Sequence, residues 1–480
     1  MRGDFSAFWA ADDVYSQVFM QQGRVLLDRD WNDSVTALVA GQRRMMADLI
    51  GPHGGPADTP DAVGRWPEAT RLGFGVAVGD DGAVTIGAGV YYVDGIRCVN
   101  PAPGWNAAAG AVPDPAVGVR MEDQPFSPWL LDSSPPAPKP PYLVYLDVWE
   151  QHVTALDDPR VREVALGGAD TATRARVIWQ VQTRQIRDDD RWLGLPDDRS
   201  FQALNAWKPA FPLRELRYRL AGRAPALKVR TAEPDPRSDA PCLAPPDAGY
   251  RRTENQLYRV EIHSVNPQDR GKATFVWSRE NGSVVADWLG LEGQALVVTG
   301  VRDKVHGFAP GDWVELTDDR YEWAGRPGPL VRLASIEPDR LLIDPTTAKS
   351  PLVEPEDTWH PKVRRWDQRL GVAPAGPGDL AVLEGSGDSG WLRVEDGIEI
   401  QFQEPSPDPP EPNAYHVGDY WVFPARAETG SVIWPTDNDD PIALPARGVE
   451  HHYAPLAIVT NDNGAVDLRK VFGPLVKDLP

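Results

Sequence analysis

The sequence predicts a mainly β protein, with several small β-sandwich or barrel modules and one long N-terminal α-helix. Three observations carry this prediction. Short strand-like runs recur from about residue 75 onward, separated by turn signals that draw on 43 glycines and 48 prolines. Eighteen tryptophans are spread largely through those runs, where they suit small sheets as bulky anchors. One stretch near the N-terminus keeps a helical period from Asp30 to Ile50.

Residues 1–55 form the first expected region, a hook followed by a helix. The hook carries Phe5, Phe8, Trp9, Tyr15 and Phe19 and runs into Gln21-Gln22-Gly23. In the helix, Trp31, Val35, Leu38, Met45 and Leu49 are spaced by four, three, seven and four, and Gln42 fills the missing step. That is a narrow apolar seam. Asp30 or Asp33 suits the N-terminal end, and Gly51-Pro52 ends the helix. Its length is about 30 Å at the usual rise. Such a seam fits packing on its own domain, and equally fits docking on a partner or self-association.

A β-domain is expected over 65–185. Its strands are 75–78, 83–86 and 89–99, with Asp81-Gly82 and Asp94-Gly95 as hairpin dipeptides. Residues 100–141 read as a Pro/Ala-rich extended connector ending in Pro135 to Pro141, and strands resume at 142–149 and 176–181. The charged, Pro-rich stretch 186–250 reads as an irregular excursion. A second β-domain is expected over 251–403, with strands at 256–263 and 273–278 and a small barrel or sandwich at 296–345. Residues 404–480 complete the chain as a C-terminal β-module. Gly311-Asp312-Trp313 and Gly418-Asp419-Tyr420 form a weak repeat, which turn chemistry alone explains.

A chain of 480 residues exceeds one ordinary core, so two to four domains are expected. The net charge of −21 disfavours nucleic acid and anionic membranes and favours solubility and cationic partners. Cys98 and Cys242 are too few and too far apart for a disulfide scaffold or a zinc site, and are expected as free thiols. No stretch has signal-peptide or membrane-span character, so cytoplasmic assembly without membrane insertion is expected.

Several motifs look chemical, but each lacks a necessary part. Gly387-Asp388-Ser389-Gly390 resembles the surroundings of a serine nucleophile, yet Trp391 follows and no positioned histidine accompanies it; a Gly/Ser turn is expected. Asp28, Asp30 and Asn32 begin a calcium-loop spacing that Asp33 and Val39 break. His451 and His452 point to opposite faces of a strand, so a shared metal is not expected, although either could meet the distant His416. The tripeptide Arg2-Gly3-Asp4 is short enough to arise by chance. Glu395 and Glu399 would share one face if both lay on a strand, the minimum for a glycosidase pair. Trp149, Trp179, Trp277, Trp288, Trp313, Trp323, Trp366, Trp391, Trp421 and Trp434 are expected mainly in the core, with any exposed ones free to stack on sugars.

The N-terminal block, Gly3-Asp4-Phe5 followed by Met20-Gln21-Gln22-Gly23-Arg24-Val25 and Asp30-Trp31-Asn32, resembles an uncharacterised family associated with phage-tail-like contractile injection systems. It is more distantly similar to the baseplate-proximal start of some phage fibre proteins. The likeness extends through Tyr145 to Glu150, Glu163 to Gly168, Phe275 to Ser283 and Glu450 to Ala457. The ending, Ala457 to Val459 with Ala465 to Arg469, resembles the close of fibre-adaptor modules. The resemblance implies a structural particle component at the baseplate or as a fibre adaptor, released by lysis if at all. Tube, baseplate or fibre proteins would then be its partners. With the hook and helix as anchor, the expected contacts are Phe5, Phe8, Trp9, Tyr15, Phe19, Gln21, Gln22 and Trp31. No enzyme activity, cofactor or metal is expected, and self-association is, with a trimer as first choice. The alternative is a carbohydrate-binding module or glycoside hydrolase on a β-scaffold.

Overall fold

The computed structural model describes residues 16–57, 72–101, 118–132, 138–232, 249–266, 269–301, 307–348, 352–368, 378–405, 411–460 and 464–473. The protein is mainly β, with few helices. Its described residues group into two compact units, and the chain passes between them more than once.

The helix-bearing unit draws on segments within 5–151, 175–220 and 450–480. Helix α1 spans Asp28–Ile50, with Asp28 and Asp30 in its first turn, where carboxylates favour the positive end of the helix. Gly51 closes it at φ 93°, and its N–H donates to the Ala47 carbonyl at 2.7 Å. His53–Pro56 follows at once and joins a four-stranded sheet with Gly89–Val93, Ile96–Asn100 and Val471–Phe472. Asp94 and Gly95 turn the hairpin at φ 46° and 77°, the mirror-image turn that this dipeptide predicts. A Cβ on Gly95 would lie 2.3 Å from the Arg43 carbonyl oxygen, so the hairpin tip meets the α1 backbone where only glycine fits.

A second sheet in this unit runs Arg174–Gln185, Tyr142–Val153, His452–Val459 and Ala465–Asp467. One core, including Phe74, Ile86, Tyr91, Leu146 and Trp179, packs on its inner face. Leu143, Leu193, Leu204, Leu216 and Ile458 form another.

The structure amends two expectations here. In the predicted connector, Gly118–Arg120 pairs with Val84–Gly87, and Gln124 braces Val181 through both its amide nitrogen (3.0 Å) and its amide oxygen (2.7 Å). The predicted excursion contains α2 (Phe201–Trp207), α3 (Leu213–Ala221) and the strand Ala226–Thr231. Ser200 caps α2, and the buried Leu204 and Leu216 hold the two helices to the second core.

The described residues of the barrel unit lie within 152–174 and 221–449. Six strands close a barrel in the order Val285–Glu292, Ala295–Thr299, Arg340–Asp344, Leu330–Ile336, Trp313–Thr317 and Lys362–Trp366. The predicted span of 296–345 contains most of this wall, but the ring closes only through the flanking first and last strands. Helix α4 (Asp319–Ala324) follows the Trp313–Thr317 strand and is capped by Asp318, whose side chain accepts from the backbone of Arg320 and Tyr321. Two further sheets share a core that includes Leu227, Tyr258, Phe275, Ile400, Phe402 and Trp421. Gly311 (φ 92°) and Gly418 (φ 88°) make the same turn, in which Asp312 and Asp419 each accept the backbone N–H three residues earlier. Turn chemistry therefore accounts for the weak repeat.

Candidate functional site

Of the anchor residues, Phe5, Phe8, Trp9 and Tyr15 lie outside the described residues, as do Arg2-Gly3-Asp4 and Cys242. Phe19 is 78% exposed, and Gln21 and Gln22 are exposed beside Gly23, whose φ of 71° turns the chain into α1. Trp31 is 71% exposed, and Val35, Leu38, Met45 and Leu49 are exposed with it. Gln42, also exposed, completes the four-three spacing. The half-buried residues are instead Asp30, Asn32, Asp33, Ser34, Ala37, Val39, Ala40, Arg43, Met46, Ala47 and Ile50, which are small or polar apart from Val39, Met46 and Ile50. Helix α1 therefore turns its small, polar stripe to its own unit and its apolar seam outward, the reverse of an ordinary surface helix.

A second concentration of chemistry lies in the barrel unit, around Lys362. Val363 belongs to the barrel core, so Lys362 starts its strand facing the outside of the wall. That outer position is nonetheless buried. The Lys362 ammonium contacts Asp157 Oδ1 directly, with Glu322 Oε1 at 3.5 Å and Asp319 Oδ1 at 4.0 Å. Asp157 reaches the cluster from a turn in which its other oxygen, Oδ2, accepts from the Thr154 backbone N–H at 2.6 Å and from Thr154 Oγ1 at 2.7 Å. Asp319 and Glu322 project together because they are three apart on α4. His360, in the left-handed region at φ 51°, meets Asp319 Oδ2 through Nδ1 at 2.8 Å.

Burial and charge pull in opposite directions in this cluster. Attraction to the three carboxylates outweighs burial and pushes the Lys362 ammonium above its ordinary range. Burial alone would raise the Asp157 carboxyl, but Lys362 and Thr154 together hold it well below the usual carboxylate range. Burial wins at Asp319, which is raised despite Lys362 and His360. Near Asp157 and Glu322, burial lowers His152 to about 4, so its imidazole is neutral. The three carboxylates lie close enough together to hold a metal ion. The lysine ammonium, however, already sits among them as their cation.

The other candidates resolve as local structure. His451, just before the His452–Val459 strand, meets Asp147 through Nδ1 at 2.7 Å, and His452 Nδ1 meets Asp94 at 2.8 Å, two separate partners. His416 lies 3.6 Å from Asp419. Ser389 Oγ donates to the Ser386 carbonyl at 2.8 Å within an exposed turn. Glu395 and Glu399 do not share a strand, because Ile398–Gln403 begins only after Glu395 and a turn at Asp396-Gly397. Arg279 grips Glu395 with two nitrogens at 2.5 Å, while Arg230 holds Glu399 at 2.9 Å. Of the ten tryptophans expected mainly in the core, eight are buried, and Trp391 and Trp434 are half-buried. Cys98 is a buried free thiol, pushed up to about 12 by burial.

Fold and site together define a β-rich protein with an outward-facing apolar helix seam and a buried lysine–carboxylate cluster. The chain matches a family of unknown function, DUF6519, over residues 1–195 and 205–468, and it belongs to that family. No curated protein and no solved structure matches it. No helix among the described residues is long and apolar enough to cross a membrane.

Proposed function

We propose that this protein is a non-enzymatic structural component of a phage-tail-like contractile injection particle, at the baseplate or as a fibre adaptor. One observation carries the reading: α1 presents Trp31, Val35, Leu38, Met45 and Leu49 to the outside while its small and polar residues face its own unit. A contiguous exposed apolar seam of this kind marks an interaction surface. Its four-three spacing, with Gln42 at one step, suits the same helix from sister copies, and Asp48 is the one charge among the flanking residues Asn32, Ser34, Val39, Gly41, Met46 and Asp48. A trimer joined along α1 then leaves the hook, Phe5 to Phe19 with Gln21 and Gln22, to engage baseplate, tube or fibre proteins. The N-terminal resemblance supports that second contact.

The carbohydrate reading has less support. The tryptophans it needs are mostly buried, and both of its carboxylates are held by arginines. Two measurements test the proposal. Deleting residues 1–33 should leave a folded protein that no longer co-sediments with particles, and retained co-sedimentation would defeat the anchor. The intact protein should show a light-scattering mass three times its 52.8 kDa, and Val35→Asp with Leu38→Asp should reduce it to that of one chain.

A further inference from the structure

We propose that Lys362 and Asp157 become joined by an intramolecular amide bond between their side chains, so that the barrel unit carries an internal covalent cross-link. The inference does not depend on the particle reading. The two residues are 205 positions apart in sequence and in direct contact, at 2% and 4% exposure. Each is fixed by its own element, Lys362 by a barrel strand and Asp157 by the Thr154 turn. Reacting groups held together in this way reach high effective concentrations without external help.

The rest of the cluster supplies what the condensation needs. A proton passes from the Lys362 ammonium to the Asp157 carboxylate, leaving a neutral amine beside a carboxylic acid. The carboxylates and Thr154 favour the ionised pair, so the neutral pair is a minor state, reached against their attraction and eased by the removal of two buried charges. Nζ then attacks Cγ and a carbon–nitrogen bond forms. Oδ2 takes the developing negative charge under the two Thr154 donors, at 2.6 and 2.7 Å, which act as an oxyanion cradle. The nitrogen gives up a proton to Asp319 Oδ1, which lies 4.0 Å from Nζ and accepts no hydrogen bond. Asp319 returns that proton to Oδ1 of Asp157, the carbon–oxygen bond breaks, and water leaves. The balance is one ammonium and one carboxylate giving one amide and one water, with no oxidant or co-reactant. Because burial raises its carboxyl, Asp319 can hold the proton in transit, and His360 orients it through the other oxygen. After the lysine charge is lost, Asp319 keeps its contact with His360, and Glu322 faces partly to solvent.

The test uses the full chain. Its intact mass, measured under denaturing conditions, should be lower than the sequence mass by one water. Proteolytic mapping should place the loss in a branched peptide containing both residue 157 and residue 362. A full sequence mass with unlinked peptides would overturn the proposal. So would a water loss mapped to succinimide formation at Asp81-Gly82, Asp94-Gly95 or Asp396-Gly397. Asp319→Asn should accumulate the unlinked chain at full mass, with a wild-type circular dichroism spectrum. If Asp319→Asn forms the link as fully as the wild type, Asp319 is not the proton carrier. The wild-type mass decides the bond even where Asp157→Ala or Lys362→Met fails to fold.

Discussion

Helix α1 and the wall around Lys362 invert the usual distribution of residues in opposite directions. On α1 a tryptophan, two leucines, a valine and a methionine face outward; beside the barrel a lysine and two aspartates are sealed in. The difference lies in what can compensate each exception. The buried charges are compensated within the chain, since ammonium, carboxylates, the Thr154 donors and His360 pair with one another. The exposed seam has no such compensation within the described residues of its own unit. A polar exception that closes on itself reads as architecture or internal chemistry, whereas an apolar exception left open reads as an interface.

Removing Lys362 should break this contrast most strongly. Lys362→Met leaves Asp157 and Asp319 buried without their cation. Loss of one partner from such a cluster costs about 3–5 kcal/mol. Urea unfolding followed through the barrel tryptophans should show that loss. Adding Asp157→Leu should recover part of it by removing the stranded charge as well. An unchanged unfolding midpoint in Lys362→Met would mean that the cluster holds nothing together.

The next effect concerns the foot of α1, and it is a pH dependence. His53 begins the strand after the helix, buried, with Nδ1 at 2.8 Å from the Tyr91 hydroxyl. Burial, then Arg217 and Lys470, lower its pKa from 6.5 to about 4. Between those values the unfolded chain binds a proton that the folded chain refuses. Stability from this residue is therefore complete above pH 6.5, declines as the pH falls, and levels off below about 4. The full decline is on the order of 3 kcal/mol at 1.36 kcal/mol per unit. His53→Gln should flatten that part of the stability profile between pH 6.5 and 4. An unaltered slope in the variant would assign the acid sensitivity to other groups, His152 first among them.

The two regions were not equally legible in the sequence. Helix α1 and its seam could be read directly, because a four-three period and a Gly-Pro stop are local signals. The Asp94-Gly95 hairpin and the paired Gly-Asp turns were legible for the same reason, since positive φ has few solutions. Helices α2 and α3 were obscured by the proline and charge around them. Their signals were nevertheless present, in the Ser200 cap and in Leu213, Leu216 and Leu220 at spacings of three and four. The Lys362 cluster gave no comparable signal. Only the pair on α4 is local; Lys362 comes from the last barrel strand and Asp157 from a turn 205 positions earlier. Periodicity also could not say which way α1 would face, because a seam of this kind serves a core and an interface alike.

The smallest effect tests how α1 is held in place. Arg43 makes a two-point ion pair with Glu150, at 2.9 Å and 2.8 Å, from the half-buried stripe of the helix. Both side chains remain about one-third open to water, so the pair is screened and contributes only about 0.2–1 kcal/mol. The Gly95 approach and the Ile50 end of the helix remain when the pair is lost. Arg43→Ala should accordingly lower thermal stability slightly, still less in high salt, and leave the light-scattering mass of the assembly unchanged. Dissociation of the assembly in Arg43→Ala would show that the ion pair, and not the backbone packing beneath it, sets the pose in which the seam is presented.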